Sequence, residues 1–313
     1  MSFLNKGGTG QQGGRFDPQV PLSRRLLDKK TRNNIQGYLL LVPVLVFVIG
    51  ILGYGVVSAF ITSLHDVDMM RPDEPFVGFA NYIDLATDPG FQNSFIRSVI
   101  FVVASVVLGT IIAFVAALSI YRLTRMRNVT QAVALIPYMV SGISAAVAWR
   151  FMFTGDASLI NMLLRMGGWD AISWLGHGQR ALMVVILANT WKVAPFSVLI
   201  ILAGLFSIDK ELFDAAEIDG ANGRQKFSLI TVPLIAPMIA VSTIWLNFAS
   251  FNMFDIILAT TGGGPHRATD LMAVHLYKLA FERLDFSGAS TVMIILLLIN
   301  VSVSIVSLKR SKV

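Results

Sequence analysis

The chain has 313 residues, 55% of them hydrophobic and only 14% charged, with a mean hydropathy of +0.68; soluble domains carry roughly 25% charged residues, so a water-soluble globular fold is excluded and the bilayer is the natural solvent. The absence of cysteine excludes a disulfide framework and a thiolate metal site. A net charge of +6 and a pI near 9.7 raise nucleic acid as a partner, but the placement of the charge along the chain speaks for membrane orientation, and no nucleic acid is expected.

Residues 1–34 begin rich in Gly and Gln and turn basic at Arg24, Arg25, Lys29, Lys30 and Arg32. They read as a tail approaching a membrane surface. The apolar run 35–63 is too long for a signal-peptide core and lacks a small-residue cleavage site, so it is predicted as the first transmembrane helix. Residues 64–93 form a polar loop with six acidic residues against Arg71. Residues 94–121 are the second helix, followed by a short loop with Arg122, Arg125 and Arg127. Residues 129–153 are the third, with Pro137 inside. After a longer loop at 154–180, residues 181–207 form the fourth helix, broken by Pro195. A polar island follows at 209–233. The fifth helix covers 229–257, with prolines near its start. A loop at 259–287 contains Gly262, Gly263, Gly264 and Pro265, and residues 289–308 form the sixth helix before Lys309, Arg310 and Lys312. The expected fold is all-α, a polytopic membrane protein with six transmembrane helices and a five-helix core at 94–308.

Six spans put both termini on one side. The two tails (1–34 and 309–313), the Arg122 loop and the island hold sixteen Lys and Arg residues; the alternate loops hold six. The positive-inside rule then makes the first set cytoplasmic. The island DKELFDAAEIDGANGRQKFSLITVP at 209–233 therefore faces the cytoplasm. Leu212, Phe213, Ala215 and Ala216 recur at helical spacing, and Asp219-Gly220 is a turn signal. The pattern is a short helix, a sharp turn and a second helix start, offered to a partner in water.

The island resembles the cytoplasmic coupling loop of binding-protein-dependent ABC importer permeases. Their pattern is Glu-Ala-Ala, three residues, Gly, about nine residues, Ile, one residue, Leu-Pro. Here Asp214 stands for Glu before Ala215 and Ala216, Gly220 is in place, and Val232-Pro233 replaces Leu-Pro. Other stretches are similar to the carbohydrate branch of the same family: VGFANYIDL at 77–85, an interfacial helix at 159–166 with Asn161, NTWKVAPF at 189–196, and TTGGGPHRATDLMAVHLYKLAF at 260–281. The resemblance implies the type I permease fold, with the coupling loop at 208–228 and Asp214, Ala215, Ala216, Asp219 and Gly220 as the residues that meet an ATPase. It implies a second, different permease subunit, two copies of an ABC ATPase and a periplasmic solute-binding protein as partners, beside membrane lipid. It places the chain in a bacterial inner membrane, with a sugar, polyol or glycerol phosphate ester as substrate.

No P-loop sequence occurs, so this chain holds no ATP of its own; ATP and Mg are used by the partner ATPase. No esterase-type Gly-x-Ser-x-Gly or zincin His-Glu-x-x-His is present. His65, His177, His266 and His275 lie in the loops without ligand spacing and are expected to be solvated. Asp255 is the only carboxylate deep in an apolar run, which weakens the rival reading, an ion-driven secondary transporter of small polar solutes. A membrane-anchored scaffold is a third reading. Lys192 lies near the middle of the fourth helix and should face a wet cavity or a partner rather than lipid. Asn189 and Phe196 share its face. Asn247, Ser250 and Asn252 interrupt the fifth helix. In maltose-type relatives the sugar lies between these two helices, and the matching positions are Asn189, Lys192, Val193, Phe196, Leu246, Ser250 and Met253.

Overall fold

A computed structural model describes residues 41–67 and 73–310. The basic tail 1–34, the first residues of the first predicted span, the segment 68–72 and residues 311–313 lie outside the described residues. The chain divides into two units, residues 1–57 and 58–313. Helix α1, Leu41–Ser63, begins in the first unit and widens to a π-helix over Ile49–Gly53. In the second unit its last residue, Ser63, is buried, with Oγ 2.8 Å from the Tyr82 hydroxyl.

The second unit continues with α2 (Ala80–Thr87), α3 (Pro89–Tyr121), α4 (Arg127–Met139), α5 (Gly142–Phe153) and α6 (Leu159–Met166). Then come α7 (Gly178–Phe206), α8 (Lys210–Ile218), α9 (Gly223–Phe251, with a π-helical stretch at Lys226–Thr231), α10 (Asp255–Thr261), α11 (Met272–Tyr277) and α12 (Phe286–Arg310). No strand forms among the described residues; one isolated bridge joins His65 and Phe76. Among the described residues five helices are long and apolar enough to cross a membrane, and a sixth crossing results if the bent pair α4–α5 counts as one. The all-α expectation holds. In a bilayer a helix satisfies its own backbone groups within the segment.

The spans differ from the sequence reading at several points. The third span is not one helix: α4 and α5 meet at 89°. Pro137 removes a donor near the end of α4, Val140 turns extended, and Ser141 restarts the chain as an N-cap whose Oγ accepts from the Ser144 N–H at 3.2 Å. The fourth span is not broken by Pro195, since α7 runs through it; α7 is buried between α3 and α9, and packing there outweighs one lost hydrogen bond. The fifth span ends at Phe251 rather than 257. The Asn252 side chain donates to the Phe248 carbonyl at 2.8 Å, offering the backbone an alternative to another turn, and a separate helix restarts at Asp255.

Two apolar cores hold the unit together. One joins Phe101, Leu182, Val185, Leu246, Ile256, Met272 and Val292. The other joins Ala113, Ala117, Val198, Ile201, Leu202, Leu205 and Ile235 near the α8 end, where Phe213 packs against it. Small residues let helices approach: a Cβ at Gly109 would lie 2.9 Å from Leu246 Cδ2.

The loop around α6 is organised by Asn161, which is 1% exposed. Its amide donates to the carbonyls of Gly155 and Ile172, and its Oδ1 accepts from the Ile172 N–H and Trp174 Nε1, all at 3.0 Å. The opposite face of α6 is the exposed apolar stripe Leu159, Met162, Leu163 and Met166. Asn161→Ala strands four partners, and a loss of roughly 3 kcal/mol is expected. Thermal unfolding in detergent checks this; an unchanged midpoint would mean that the loop holds without the amide.

Candidate functional site

The polar island builds a complete helix with both ends satisfied. Asp209 is the N-cap of α8, accepting from the Glu211 N–H at 3.2 Å. At the other end Asp219 is the C-cap and Gly220 is left-handed, φ +79°. The Ala221 N–H donates to the Ala216 carbonyl at 2.8 Å and the Gly220 N–H to the Glu217 carbonyl at 3.1 Å. This is the Schellman ending, which requires a residue at ease with positive φ. Asn222 and Gln225 then form a reciprocal capping box, 2.9 and 2.8 Å, which starts α9 six residues before the sequence reading placed it. Phe213 anchors α8 to the core beneath, while Asp214 and Ala215 are exposed and Ala216 half-buried. The five residues singled out from the sequence therefore sit on one short, rigid, outward-facing element.

The seven mid-bundle positions divide into two groups. Asn189, Val193, Leu246, Ser250 and Met253 are buried within the chain. Asn189 Nδ2 donates to Ser250 Oγ at 2.9 Å, tying α7 to α9, while Asn189 Oδ1 has no protein partner. Lys192 and Phe196 are half-buried. Lys192 Nζ donates to the carbonyls of Val140 and, at 3.5 Å, Tyr138. It thus places a cation on the carbonyl end of α4, where the helix dipole favours one. Asp255 occupies the complementary position at the start of α5: a Cβ at Gly142 would overlap its carboxylate, so the missing side chain lets a negative group stand at a helix N-terminus. The bend in the third span is held between a lysine of α7 and an aspartate of α10.

Beside Lys192 lies an aromatic cluster not identified from the sequence. Phe196 and Trp245 have ring centroids 4.6 Å apart, and Tyr138 stacks on Phe196 at 5.4 Å. Trp245 Nε1 donates to the Val193 carbonyl at 3.4 Å. Three helices contribute one ring each; nothing local in the sequence marks them as neighbours.

The glycine-rich stretch is a loop of fixed shape, closed around a buried carboxylate. Asp270 is 1% exposed and accepts from Arg267 (Nε 3.0 Å, Nη2 2.9 Å) and from Lys278 Nζ at 3.1 Å. Thr269 Oγ donates to the Gly264 carbonyl at 2.8 Å. Asn93 Nδ2 donates to the Arg267 carbonyl at 3.0 Å, and Ser98 Oγ accepts from the Met272 N–H at 2.7 Å, pinning the loop to α3. His275 corrects the expectation of solvated histidines. It is 2% exposed beside Asp270, and its burial, which the nearby carboxylate only partly offsets, holds its pKa below the ordinary 6.5. The sequence reading missed both residues because a loop position carries no burial signal of its own. Among the described residues no group of three His, Asp or Glu side chains is arranged to hold a metal ion.

Comparison with known proteins agrees with this architecture. Residues 87–309 match the family described as binding-protein-dependent transport system inner membrane component. The chain is 35% identical over 283 residues to the trehalose/maltose transport system permease protein MalF of Thermococcus litoralis, covering 90% of this chain and 95% of the relative. It is 31% identical over 278 residues to the sn-glycerol-3-phosphate transport system permease protein UgpA of Agrobacterium fabrum, covering 87% and 93%. In fold it is similar to a chain of a bacterial ABC transporter involved in the import of the acidic polysaccharide alginate, with a TM-score of 0.76, 20% identity, and coverage of 91% and 98%.

Proposed function

This chain belongs to the family of binding-protein-dependent transport system inner membrane components, and from that premise we propose that it is the permease subunit of an ATP-driven importer for a sugar or sugar-like solute. The observation that carries the reading is α8: a capped helix, ended at Gly220, that offers Asp214 and Ala215 to solvent between two apolar spans. A separate ATPase subunit, which uses ATP and Mg, receives this helix in a cleft. Its rigid movement tilts the bundle between inward and outward states. The complete transporter contains a second, different permease, two ATPase copies and a binding protein outside an inner membrane. The α8 end faces the cytoplasm, as the Lys and Arg count requires.

The solute passes along the face that carries Lys192, Phe196, Tyr138 and Trp245. Flat rings stack on the C–H faces of a sugar, and the ammonium group of Lys192 meets a hydroxyl or an anionic group. Asn189, Val193, Leu246, Ser250 and Met253 complete the site from behind, with the free Asn189 Oδ1 as an acceptor. The relatives' names, trehalose/maltose and glycerol-3-phosphate, agree with a polyhydroxylated solute. An ion-driven carrier would need an intramembrane carboxylate free to load its ion, whereas Asp255 is committed to the start of α5.

Phe196→Ala and Lys192→Met are expected to lower uptake about fivefold at limiting substrate, since a ring contact is worth roughly 1 kcal/mol and a tenfold change about 1.4 kcal/mol. The assay is uptake into vesicles by the reconstituted transporter, with pull-down of the ATPase as the assembly control. Unchanged uptake in both variants would place the solute path elsewhere. Uptake that needs only a proton gradient, and no ATPase subunit, would overturn the importer reading itself.

A further inference from the structure

At the α8 end of the bundle, the last turn of α3, the end of α7 and the first turns of α9 surround a pocket of about 190 Å³. Leu118, Ile208 and Phe227 make its wall apolar, and Phe213 of α8 joins them. The charged side chains in the lining are Arg122 and Lys226, two cations with no carboxylate among them.

The donors here are largely unspent. Arg122 is exposed, and its guanidinium has no hydrogen-bond or ion-pair partner among the described residues. Arg127 of the same loop is engaged: its Nε donates to the Leu123 carbonyl at 3.1 Å, and its guanidinium lies 4.8 Å from the centre of the Phe206 ring. Lys226 pairs at 3.1 Å with Glu217, which is 74% exposed and stands outside the lining. Such an exposed pair contributes little, and an ammonium group has three donors to offer. The Tyr121 hydroxyl, also in the lining, has no partner among the described residues. Thr231 is the exception, since its hydroxyl already donates to the Lys226 carbonyl at 3.3 Å.

Two cations and a phenol beside an apolar wall are complemented by an anion carried on an apolar body. Guanidinium and ammonium groups both bind phosphate oxygens. The volume is below the ~300–1,000 Å³ of ordinary small-molecule sites, so one end of a ligand enters rather than the whole. The spans of α3 and α7 end at Tyr121 and Phe206, which sets the pocket at the membrane surface. Basic pockets between membrane helices on the cytoplasmic side take lipid head groups. We propose that this pocket receives the phosphodiester group of an anionic phospholipid of the cytoplasmic leaflet, whose acyl chains stay in the bilayer. The choice of leaflet rests on the importer reading above. Because Phe213 belongs to α8, the bound head group holds the coupling helix to the membrane surface.

The test uses the full-length chain with its co-expressed partner subunits in detergent. Phosphatidylglycerol or phosphatidylcholine is added, and bound lipid is counted by native mass spectrometry. The expected result is preferential retention of phosphatidylglycerol, with apparent affinity lowered roughly fivefold in Arg122→Gln and in Lys226→Gln. Both losses should shrink as ionic strength rises. Arg122→Lys keeps the charge and should retain most of the affinity. Glu217→Gln releases Lys226 and should not weaken binding, which separates the lipid contact from the ion pair. Arg125→Gln removes a charge from the same loop outside the lining and should change little. Affinity equal to the unaltered protein in both Arg122→Gln and Lys226→Gln, or an equal loss in Arg125→Gln, would overturn the pocket. A rise in melting temperature with inorganic phosphate as large as with phosphatidylglycerol, lost in Arg122→Gln, would put a soluble anion there and overturn the lipid. Failure of any ATPase subunit to co-purify would count against the importer reading and leave the lipid measurement standing.

Discussion

Gly220→Pro is expected to abolish ATP hydrolysis stimulated by the loaded binding protein, while the chain still inserts in the membrane. The Gly220 backbone sits at φ +79°, and proline is fixed near −65°. Proline also lacks the N–H that donates to the Glu217 carbonyl at 3.1 Å. The Ala221-to-Ala216 bond depends on the same turn, so the ending of α8 is lost and the helix points elsewhere. Gly220→Ala keeps the N–H and meets only the left-handed penalty of roughly 1–2 kcal/mol, so its defect should be partial. Ala216→Trp attacks the same element from its face, since a large ring at this half-buried position overfills the contact. The measurements are stimulated ATPase activity and co-purification of the ATPase subunit. Normal values for both in Gly220→Pro and Ala216→Trp would remove α8 as the coupling element.

Asp270→Ala should be the most destabilising single change in the glycine-rich loop. One carboxylate, 1% exposed, holds Arg267 and Lys278 together. Removing one partner of a buried ion pair costs about 3–5 kcal/mol. Lys278 and Arg267 keep 25% and 45% of their side-chain exposure, so solvent screening lowers this to roughly 2–4 kcal/mol. The backbone adds to the effect. His266 and Arg267 lie at φ +48° and +59°, a region that non-glycine residues occupy only when their surroundings hold them there. The readouts are thermal unfolding in detergent and limited proteolysis across residues 262–271. Asp270→Asn, which keeps the shape but not the charge, should fall between. Adding Lys278→Met to Asp270→Asn should return part of the loss, because the two residues share one interaction. A wild-type midpoint and an uncut loop in Asp270→Ala would show that the glycines and Pro265 fix the loop without the carboxylate.

The class and the shape of α8 are legible in the sequence, because each is encoded locally. A bilayer forces every apolar run of sufficient length to satisfy its own backbone, so hydropathy alone identifies the spans. Asp209, Gly220, Asn222 and Gln225 act on residues within five positions of themselves, and their cap chemistry is legible without a fold. Gly262 and Gly263 announced a tight loop, and both have positive φ. What long-range contacts create is set by the fold. Lys192 meets the Val140 carbonyl across 52 residues, Asn189 meets Ser250 across 61, and Met272 meets Ser98 across 174. Pro137 in the third span and Pro195 in the fourth look alike in sequence, yet only the third span bends and α7 continues through its proline. The difference lies in the neighbours: α7 is enclosed on both sides, whereas the α4–α5 junction has Lys192 and Asp255 to receive its two exposed ends. Asp270 and His275 carry the same local composition as solvated loop residues. Only the closing of the loop onto α3 removes them from water, and burial is a property of what surrounds a residue rather than of the residue.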